Sequence, residues 1–540
     1  MKTIYYGGQV YTGELPLVEA FVVEDGRFRF TGSNADALAM AGAGDTLSDL
    51  HGRFVCCGFN DSHMHLLNYG QSLMSAHLSE HTQSLEELIS YFRDFLAERP
   101  RKNGAWLVGR GWNHDYFHDV HRMPTRWDLD QVSTQVPVMA VRCCGHCLVV
   151  NSKVLELTGV TADTPCPEGG KIGMEGGEPN GCFFDNAMDL VYANVPVPTK
   201  EDLKDMIRLG CQGLNSYGVT SCQSDDYCVF RSIPWQTVVQ AYEELEQAGE
   251  LTVRVYEQEN FTTVEALKEY VAAGYNTGVG SVNYKHGPLK ILGDGSLGAR
   301  TAFLSQSYAD DPSTRGFPVF SQEAMAVLVS YANSVGMQVA IHAIGDGCLD
   351  YVLHSVEQAL REHPRKDHRH GVVHCQISRP DQLQKMIELG MHIYMQSIFL
   401  DYDNHIVRDR VGEKMAASSY AWKTLKCGGL SVSNGTDCPV EKPDALACIQ
   451  CAVTRTTLHD NVGPYNPEEA FTVQEAIDSY TIRGAEASFE EGMKGLMKPG
   501  YLADFVILDK NLFEIGEDAI KDVQVCATFL GGRQVFSQNA

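Results

Sequence analysis

The pattern of apolar and polar positions changes twice along the chain. Residues 1 to about 50 alternate apolar and polar side chains, interrupted by glycines and by the turn sequence Glu24-Asp25-Gly26. A period of two with a tight turn predicts short antiparallel strands. The final segment, from LADFVILD to GGRQVF, has the same strand and turn character. We therefore predict one small β-sandwich built from both chain termini, residues 1–53 and 488–540.

Between these ends, short apolar runs rich in Val, Ile and Cys alternate with amphipathic stretches of helical length. Such repetition predicts an α/β fold with a parallel sheet. Eight runs qualify as strands, the number needed for a (β/α)8 TIM-like barrel, which we assign to residues 54–487. The predicted barrel strands are Phe54–Phe59, Val219–Gln223, Thr252–Gln258, Leu289–Asp294, Gln338–His342, Gly371–His374, His392–Gln396 and Leu430–Asn434.

A long insertion separates the first predicted barrel strand from the second. It covers about residues 78–200 and includes the Gly- and Pro-rich hairpin sequence PCPEGGKIGMEGGEPNGCFF. We expect this insertion after barrel strand 1 to form a capping subdomain over the barrel mouth, where the strand-end loops meet.

Composition and charge restrict the classes of partner and the cellular location that we expect for the protein. The 540 residues include 43 Lys and Arg against 69 Asp and Glu, a formal net charge of −26, which disfavours nucleic acid as a partner. No apolar run approaches the roughly 18 to 20 residues that span a bilayer, and the opening residues do not resemble a secretory signal. We expect a cytoplasmic protein that acts on a small molecule and does not bind membranes, and a homodimer is the default assembly. The 17 scattered cysteines suggest free thiols.

The sequence GFNDSHMHL places His63 and His65 two positions apart at the end of the first predicted strand. Side chains at this spacing in an extended segment point the same way, so both imidazoles can face one cation. An isolated pair of this kind is a weak signal, because a polar strand end has the same spacing.

Further metal-competent or acid-base groups follow apolar runs later in the chain. Lys290 lies in PLKILGDGS, His342 in VAIHAIGD, His374 in GVVHCQ and Asp437 in VSNGTDCPV. Each has an ordinary structural interpretation alone, but barrel enzymes place their active sites at the carboxyl ends of the strands. Together these residues predict a divalent metal site with an open position for water. Zinc suits such imidazole and carboxylate ligands.

Lys290 needs a separate explanation, because an ammonium group cannot bind a cation. A lysine near a metal can react with carbon dioxide, and the resulting carbamate offers two oxygens that can bridge two ions. Asp294, four residues further on, shares the strand face of Lys290 and is a candidate for contacting a metal ligand. The alternative is a simple ion pair between Lys290 and Asp294.

The motifs GFNDSHMH, KILGDGS, HAIGD, VVHC and GTDCPV, in this order, resemble the metal-dependent amidohydrolase superfamily. The resemblance is to its amidohydrolase-3 (YtcJ-like) branch, which includes N-substituted formamide deformylases. It implies that His63 and His65 bind one metal and that His342 and His374 bind another. Carboxylated Lys290 would bridge them, and Asp437 would be the last ligand and the proton shuttle.

The resemblance also implies further site residues and a reaction. His146 in CGHCLVVNS matches a histidine near the substrate pocket that also contributes to catalysis, and Trp112 in GRGWNHD matches a pocket aromatic. Arg300 is a further candidate for substrate binding, with an ordinary salt bridge as its alternative. The implied reaction is hydrolysis of a C–N bond, of the amide or N-formyl amine type and not a peptide bond, by metal-activated hydroxide.

Two other functions stay open. A deaminase or a cyclic amide or imide hydrolase can use the same scaffold, and a non-catalytic relative could keep the barrel for assembly alone. Separately, Cys144 with Cys147 and Cys448 with Cys451 have the CxxC spacing of zinc ligands. Because about 300 residues separate the two pairs, a shared structural zinc site is disfavoured.

Overall fold

The computed structural model describes residues 1–101, 104–230 and 232–538. The chain divides into two compact units, one formed by residues 1–69 and 207–540 and the other by residues 70–206. No helix in the described ranges is long and apolar enough to cross a membrane.

The larger unit contains a sheet that confirms the predicted barrel class. Within the described residues, eight parallel strands pair in chain order, as the repeating strand and helix pattern requires. We number these barrel strands β1 (Phe59–Met64), β2 (Val219–Ser224), β3 (Arg254–Asn260), β4 (Tyr284–Leu292), β5 (Val339–Ala343), β6 (Gly371–His374), β7 (His392–Met395) and β8 (Val432–Asn434).

The prediction of the first barrel strand at Phe54–Phe59 is wrong. Residues Phe54–Cys57 pair antiparallel with Phe505–Leu508, outside the barrel, and the barrel strand begins at Phe59. The chain passes from one sheet to the other at Gly58, where a Cβ atom would lie only 2.3 Å from the Thr220 side chain. Two consecutive apolar runs that belong to different sheets have the pattern of a single buried strand, so periodicity could not separate them.

Helices of the expected lengths connect the barrel strands. Their starts are fixed by side chains that accept hydrogen bonds from free backbone N–H groups; for example, Thr263 accepts from Ala266 and Asp444 from Leu446 and Ala447. The helices of this unit and those that extend into the other are Asn34–Ala39, Leu66–Leu73, Lys200–Ser216, Trp235–Gln247, Val264–Ala272, Gln322–Ser334, Asp346–Glu362, Pro380–Leu389, Leu400–Asp403, Val407–Ala416, Trp422–Cys427, Ala445–Thr454, Val473–Ser479 and Ile482–Ala487.

The seam between β8 and β1 is closed by individual hydrogen bonds. The Ser62 hydroxyl donates to the Asn434 carbonyl over 2.9 Å, and the Asp437 N–H donates to the His63 carbonyl over 2.9 Å. Gly435 allows this approach, since a Cβ there would lie 2.6 Å from the His63 nitrogen. The closing contacts therefore lie directly beside the predicted metal ligands.

Both chain termini contribute to a pair of small sheets in the larger unit. One sheet contains Lys2–Tyr6, Ala20–Glu24, Arg27–Gly32 and Thr46–Asp49, and the other contains Gln9–Val10, Phe54–Cys57, Phe505–Leu508, Val525–Leu530 and Arg533–Ser537. An aromatic core lies between them, with Tyr5 stacked on Phe21 and Phe505 stacked on Phe529.

The unit formed by residues 70–206 has its own mixed sheet and core. Its strands, in spatial order, are Gly170–Glu175, Glu178–Asp185, Cys147–Val150, Val138–Arg142, Leu107–Trp112 and Ala76–His77. Its helices include Leu85–Glu98, Arg126–Asp130, Ser152–Thr158 and Asp189–Tyr192. Apolar side chains bury both faces of the sheet in two separate clusters.

A buried ion pair connects β3 to Asp504, the residue that precedes the strand Phe505–Leu508. The Arg254 guanidinium donates to both oxygens of Asp504, over 2.7 and 2.9 Å, and both residues are about 5% exposed. The Gly531 N–H also donates to Asp504 over 2.7 Å. The charges compensate each other, so removing Asp504 leaves the Arg254 charge buried with only neutral partners such as Asn283 in hydrogen-bond contact.

We expect Asp504→Asn to lower the free energy of unfolding by about 3 kcal/mol, because Arg254 would keep its charge without a counter-ion. Chemical denaturation measures the change. Asp522→Asn is the matched control, since Asp522 forms an exposed pair with Lys521, and its cost should stay within about 0.5 kcal/mol. Equal costs for the two variants would contradict the assigned role of the buried pair.

Candidate metal centre

The predicted ligands lie at the carboxyl ends of the barrel strands. His63 lies in β1 and His65 directly follows it. Because parallel strands carry their carboxyl ends to one side of a barrel, residues far apart in sequence meet there. The other four predicted ligands are Lys290 in β4, His342 in β5, His374 at the end of β6 and Asp437 after β8.

The centre of the group is formed by His63, His374 and Asp437. One potential ligand atom from each lies within 4.8 Å of the other two, and all three side chains are buried. His63 Nε2 is 3.3 Å from Asp437 Oδ1. The His374 ring lies 4.4 Å from the His342 ring and 5.7 Å from the His63 ring, measured between centroids. His63 and His342 therefore flank the same histidine.

His65 also contacts Asp437. Its Nε2 atom is 2.9 Å from Asp437 Oδ1, and its Nδ1 atom contacts a carboxylate oxygen of Asp225. Burial acts to lower the pKa of His65, but Asp225 and Asp437 outweigh it and hold that pKa well above its ordinary value. Without a metal, His65 is thus a cation between two carboxylates.

Three of the four histidines have the Nδ1 side of the ring anchored by a neighbouring side chain. His63 Nδ1 is 3.1 Å from Gln258 Oε1, and His342 Nδ1 is 3.0 Å from Asp294 Oδ1. Asp225 holds His65 in the same way. Such partners fix the orientation of each ring and leave Nε2 available. Metal-binding histidines in proteins are commonly oriented in this way.

Asp294 contacts the candidate ligand His342, one of the two roles that the sequence left open for it. Its carboxylate accepts from His342 and from the backbone N–H groups of Phe303, Ile344 and Gly345, over 2.9 to 3.1 Å. The Lys290 amine instead lies 3.1 Å from His63 Nε2 and 3.6 Å from Asp225 Oδ2. Lys290 is therefore directed at the centre of the site, with Asp225 as its ion-pair partner.

The donor set fits a divalent cation. Among the described residues, none hydrogen-bonds to the buried His374 Nδ1. A buried polar atom without a partner costs free energy unless a ligand pairs with it. Burial, followed by the charge of Lys290, lowers the pKa of His63 to about 4, and burial and His342 lower that of His374 well below its ordinary value. Both imidazoles are therefore neutral at pH 7, the form that binds metals.

Asp437 is an anion at the same pH. Burial acts to raise its pKa, but its close contacts with His63 and His65 hold that pKa well below its usual range. The backbone at Asp437 has φ 59°, an uncommon value for a residue other than glycine, and its N–H bonds to His63. The turn that closes the barrel thus also aims this carboxylate at the imidazoles.

The proposed substrate-binding residues lie in different surroundings. Trp112 is fully buried in the core of the 70–206 unit, while His146 is exposed in the same unit with Nδ1 3.1 Å from Asp185. Arg300 donates to Asp310 over 2.8 and 3.2 Å, which is the salt bridge that the sequence offered as its alternative role. Substrate contact by these three residues stays a prediction.

Asp225 and Gln258 are site residues that sequence reasoning missed. Asp225 directly follows β2, so its position at a strand end was a readable signal. Gln258 lies within β3 and carries no acid-base signal, so only the barrel geometry reveals its contact with His63.

Fold and site together define a (β/α)8-barrel protein with a centre of histidines and carboxylates at its strand ends. The Amidohydro_3 profile, described as the amidohydrolase family, matches residues 46–536. The chain therefore belongs to the amidohydrolase family, as its motifs predict.

Individual relatives agree with this assignment. YtcJ of Bacillus subtilis (strain 168), named as an amidohydrolase, is 32% identical over 547 residues, covering 100% of both chains. N-substituted formamide deformylase of Arthrobacter pascens is 24% identical, covering 95% of this chain and 94% of that protein. The crystal structure of an uncharacterized metal-dependent hydrolase from Pyrococcus furiosus matches with TM-score 0.76 and 29% identity, covering 95% and 99%. Family and fold support a metal-dependent hydrolase.

We expect Asp225→Asn to weaken divalent metal binding by about 10- to 100-fold, because the neutral amide no longer balances the charges of His65 and Lys290. Competition against a chelator at fixed pH measures the affinity. Asp403→Asn serves as the control, since the buried carboxylate of Asp403 contacts Tyr420 and Gln376. Unchanged metal affinity in Asp225→Asn would contradict the role of Asp225 in the metal centre.

Proposed function

We propose that this chain hydrolyses a carbon–nitrogen bond of a small molecule, of the amide or N-formyl amine type. The observation that carries the proposal is the buried cluster of His63, His374 and Asp437, with an unpaired ring nitrogen on His374. The relative named N-substituted formamide deformylase supports this class of bond.

The residues that would hold the metal are the four histidines with Asp437, and carboxylated Lys290 if two ions bind. We propose zinc, because imidazole and carboxylate ligands suit it. Bound there, the ion would polarise the scissile carbonyl and lower the pKa of water toward neutrality. The position of Lys290 supports this role, because its amine lies 3.1 Å from His63 Nε2.

Asp437 is the proposed acid-base group. Its carboxylate is ionised and lies at the centre of the site, where it can accept a proton from the attacking water. The same oxygen can then return the proton to the departing nitrogen. The bond from its backbone N–H to the His63 carbonyl holds Asp437 in place through both transfers.

Substrate recognition is proposed for three residues outside this cluster. His146 would donate to the carbonyl oxygen of the substrate and so assist catalysis, while Trp112 and Arg300 would contribute to binding. The exposed His146 ring is accessible to a small molecule, whereas Arg300 would have to exchange its bond to Asp310. We further propose a cytoplasmic protein and, as the default assembly, a homodimer.

Metal analysis and a substrate panel test the proposal together. Purified protein should contain one or two equivalents of divalent metal, and the metal-reconstituted protein should release amine from N-formyl or N-acyl amines. Release of ammonia from amino-substituted rings, or opening of cyclic imides, would instead favour the alternative reactions on this scaffold. Absence of metal after gentle purification would favour a non-catalytic role.

We expect Asp437→Asn to lower kcat by at least about a hundredfold while leaving metal content nearly intact. The amide keeps an oxygen in the position of the ligand but cannot carry the proton. Steady-state kinetics and metal analysis of the same preparation measure both effects. Asp444→Asn is the matched control, because asparagine can also cap the helix Ala445–Thr454. Retained turnover in Asp437→Asn would reject the proton-transfer role.

A further inference from the structure

A second group of reactive side chains lies in the 70–206 unit. The antiparallel strands Val138–Arg142 and Cys147–Val150 are joined by a short loop, so that the sequence Cys143-Cys144-Gly145-His146-Cys147 turns through a hairpin. Gly145 has φ 72°, and its N–H donates to the Arg142 carbonyl over 2.9 Å. The turn brings the two ends of this sequence toward each other.

Cys144 and Cys147 differ in exposure and belong to the same turn. Cys144 is exposed on the loop, whereas Cys147 is buried in the strand that pairs with Glu178–Asp185. Only Gly145 and His146 separate them along the chain, and the hairpin folds this segment back on itself. The turn therefore carries one exposed and one buried sulfur at the same end of the hairpin.

Arg142 places a positive charge beside the exposed sulfur. Its side chain hydrogen-bonds to Cys144, and it is held in place by Asn113 and Asp115, each 2.7 Å away. This bond, with one from the His146 N–H, lowers the pKa of the Cys144 thiol. A cation and a backbone N–H at the sulfur are the features that favour a reactive thiolate.

Cys147 has the opposite character. Burial, followed by the nearby Cys144, raises its pKa to about 12, so Cys147 holds its proton more firmly than Cys144 does. Once Cys144 is bonded to another sulfur, its negative charge is gone and Cys147 loses that obstacle to ionisation. The two cysteines are thus suited to act in sequence, the exposed one first.

We propose that Cys144 and Cys147 form a redox-active pair that is converted reversibly to a disulfide by low-molecular-weight disulfides. The Cys144 thiolate attacks one sulfur of the small disulfide, whose S–S bond breaks and releases one thiolate. The Cys147 thiol loses its proton and attacks Cys144, forming the protein disulfide and releasing the second small thiolate. One small disulfide is reduced to two thiols as two protein thiols are oxidised.

The second CxxC sequence shows that spacing alone does not create this site. Cys448 and Cys451 lie on the helix Ala445–Thr454, and both are buried. Burial raises the pKa of each thiol well above its ordinary value. This pair has no exposed member to start the exchange, so it provides an internal comparison within the same protein.

The test treats the reduced full-length protein with oxidised glutathione and follows intact mass and disulfide-mapped peptides. We expect the mass to fall by about 2 Da, the loss of two hydrogens, with the bond mapped to Cys144–Cys147 and reversed by dithiothreitol. Cys147→Ser should instead accumulate one glutathione on Cys144, and Cys144→Ser should form neither product at this loop. Cys448→Ser should behave as the unchanged protein.

Alkylation rates provide a second measurement on the folded protein. At pH 7 we expect iodoacetamide to label Cys144 on the order of tenfold faster than the exposed Cys166, and Arg142→Gln to remove most of that difference. A disulfide mapped to Cys143, stable glutathione on Cys144 in the unchanged protein, or equal labelling of Cys144 and Cys166 would each overturn the proposal.

Discussion

The contact between Asp437 and the segment from His63 to His65 is the interaction on which the rest of the larger unit depends. The Asp437 N–H bonds to the His63 carbonyl, and the His65 N–H bonds to the Cys438 carbonyl over 2.8 Å. The Asp437 carboxylate meanwhile contacts both imidazoles. The same few residues therefore close the barrel and assemble its candidate metal centre.

This coupling explains why the site is so rigidly held. Buried polar groups are costly unless they are paired, and here each anchored ring is fixed by a partner from another barrel strand or from the end of one. Gln258 of β3 holds His63, Asp225 after β2 holds His65, and Asp294 after β4 holds His342. His374 is the exception, and its unpaired nitrogen is the position where a cation would satisfy the remaining polar group.

Most of the fold could be predicted from periodicity because the barrel strands are short buried runs separated by helices. Gly371–His374 is predicted to the residue, and His392–Met395 to within one residue. The prediction of the first barrel strand was wrong because Phe54–Cys57 and Phe59–Met64 are adjacent apolar runs in different sheets. They are separated by long-range strand pairing, the first with Phe505–Leu508 and the second with Val219–Ser224.

The candidate site was predictable to the extent that its members are residue types with obvious metal chemistry. Lys290, His342, His374 and Asp437 stand where apolar runs end, and the fold carries them to one place. Asp225 also lies at a strand end, so its position was an equally good signal of a site residue. Its role, however, depends on which imidazole it faces. Gln258 could not be found at all, because a glutamine in a strand has no distinguishing pattern in sequence.

The two CxxC sequences extend the same reasoning to the cysteines. Identical spacing places one exposed and one buried thiol on the turn of the hairpin, and two buried thiols on the helix. Arg142 separates the two cases further, because its guanidinium favours the thiolate of Cys144, whereas at Cys448 burial outweighs the opposing hydrogen bond from Tyr480. A motif therefore specifies which atoms are available, and the surrounding charges and burial decide what chemistry those atoms can perform.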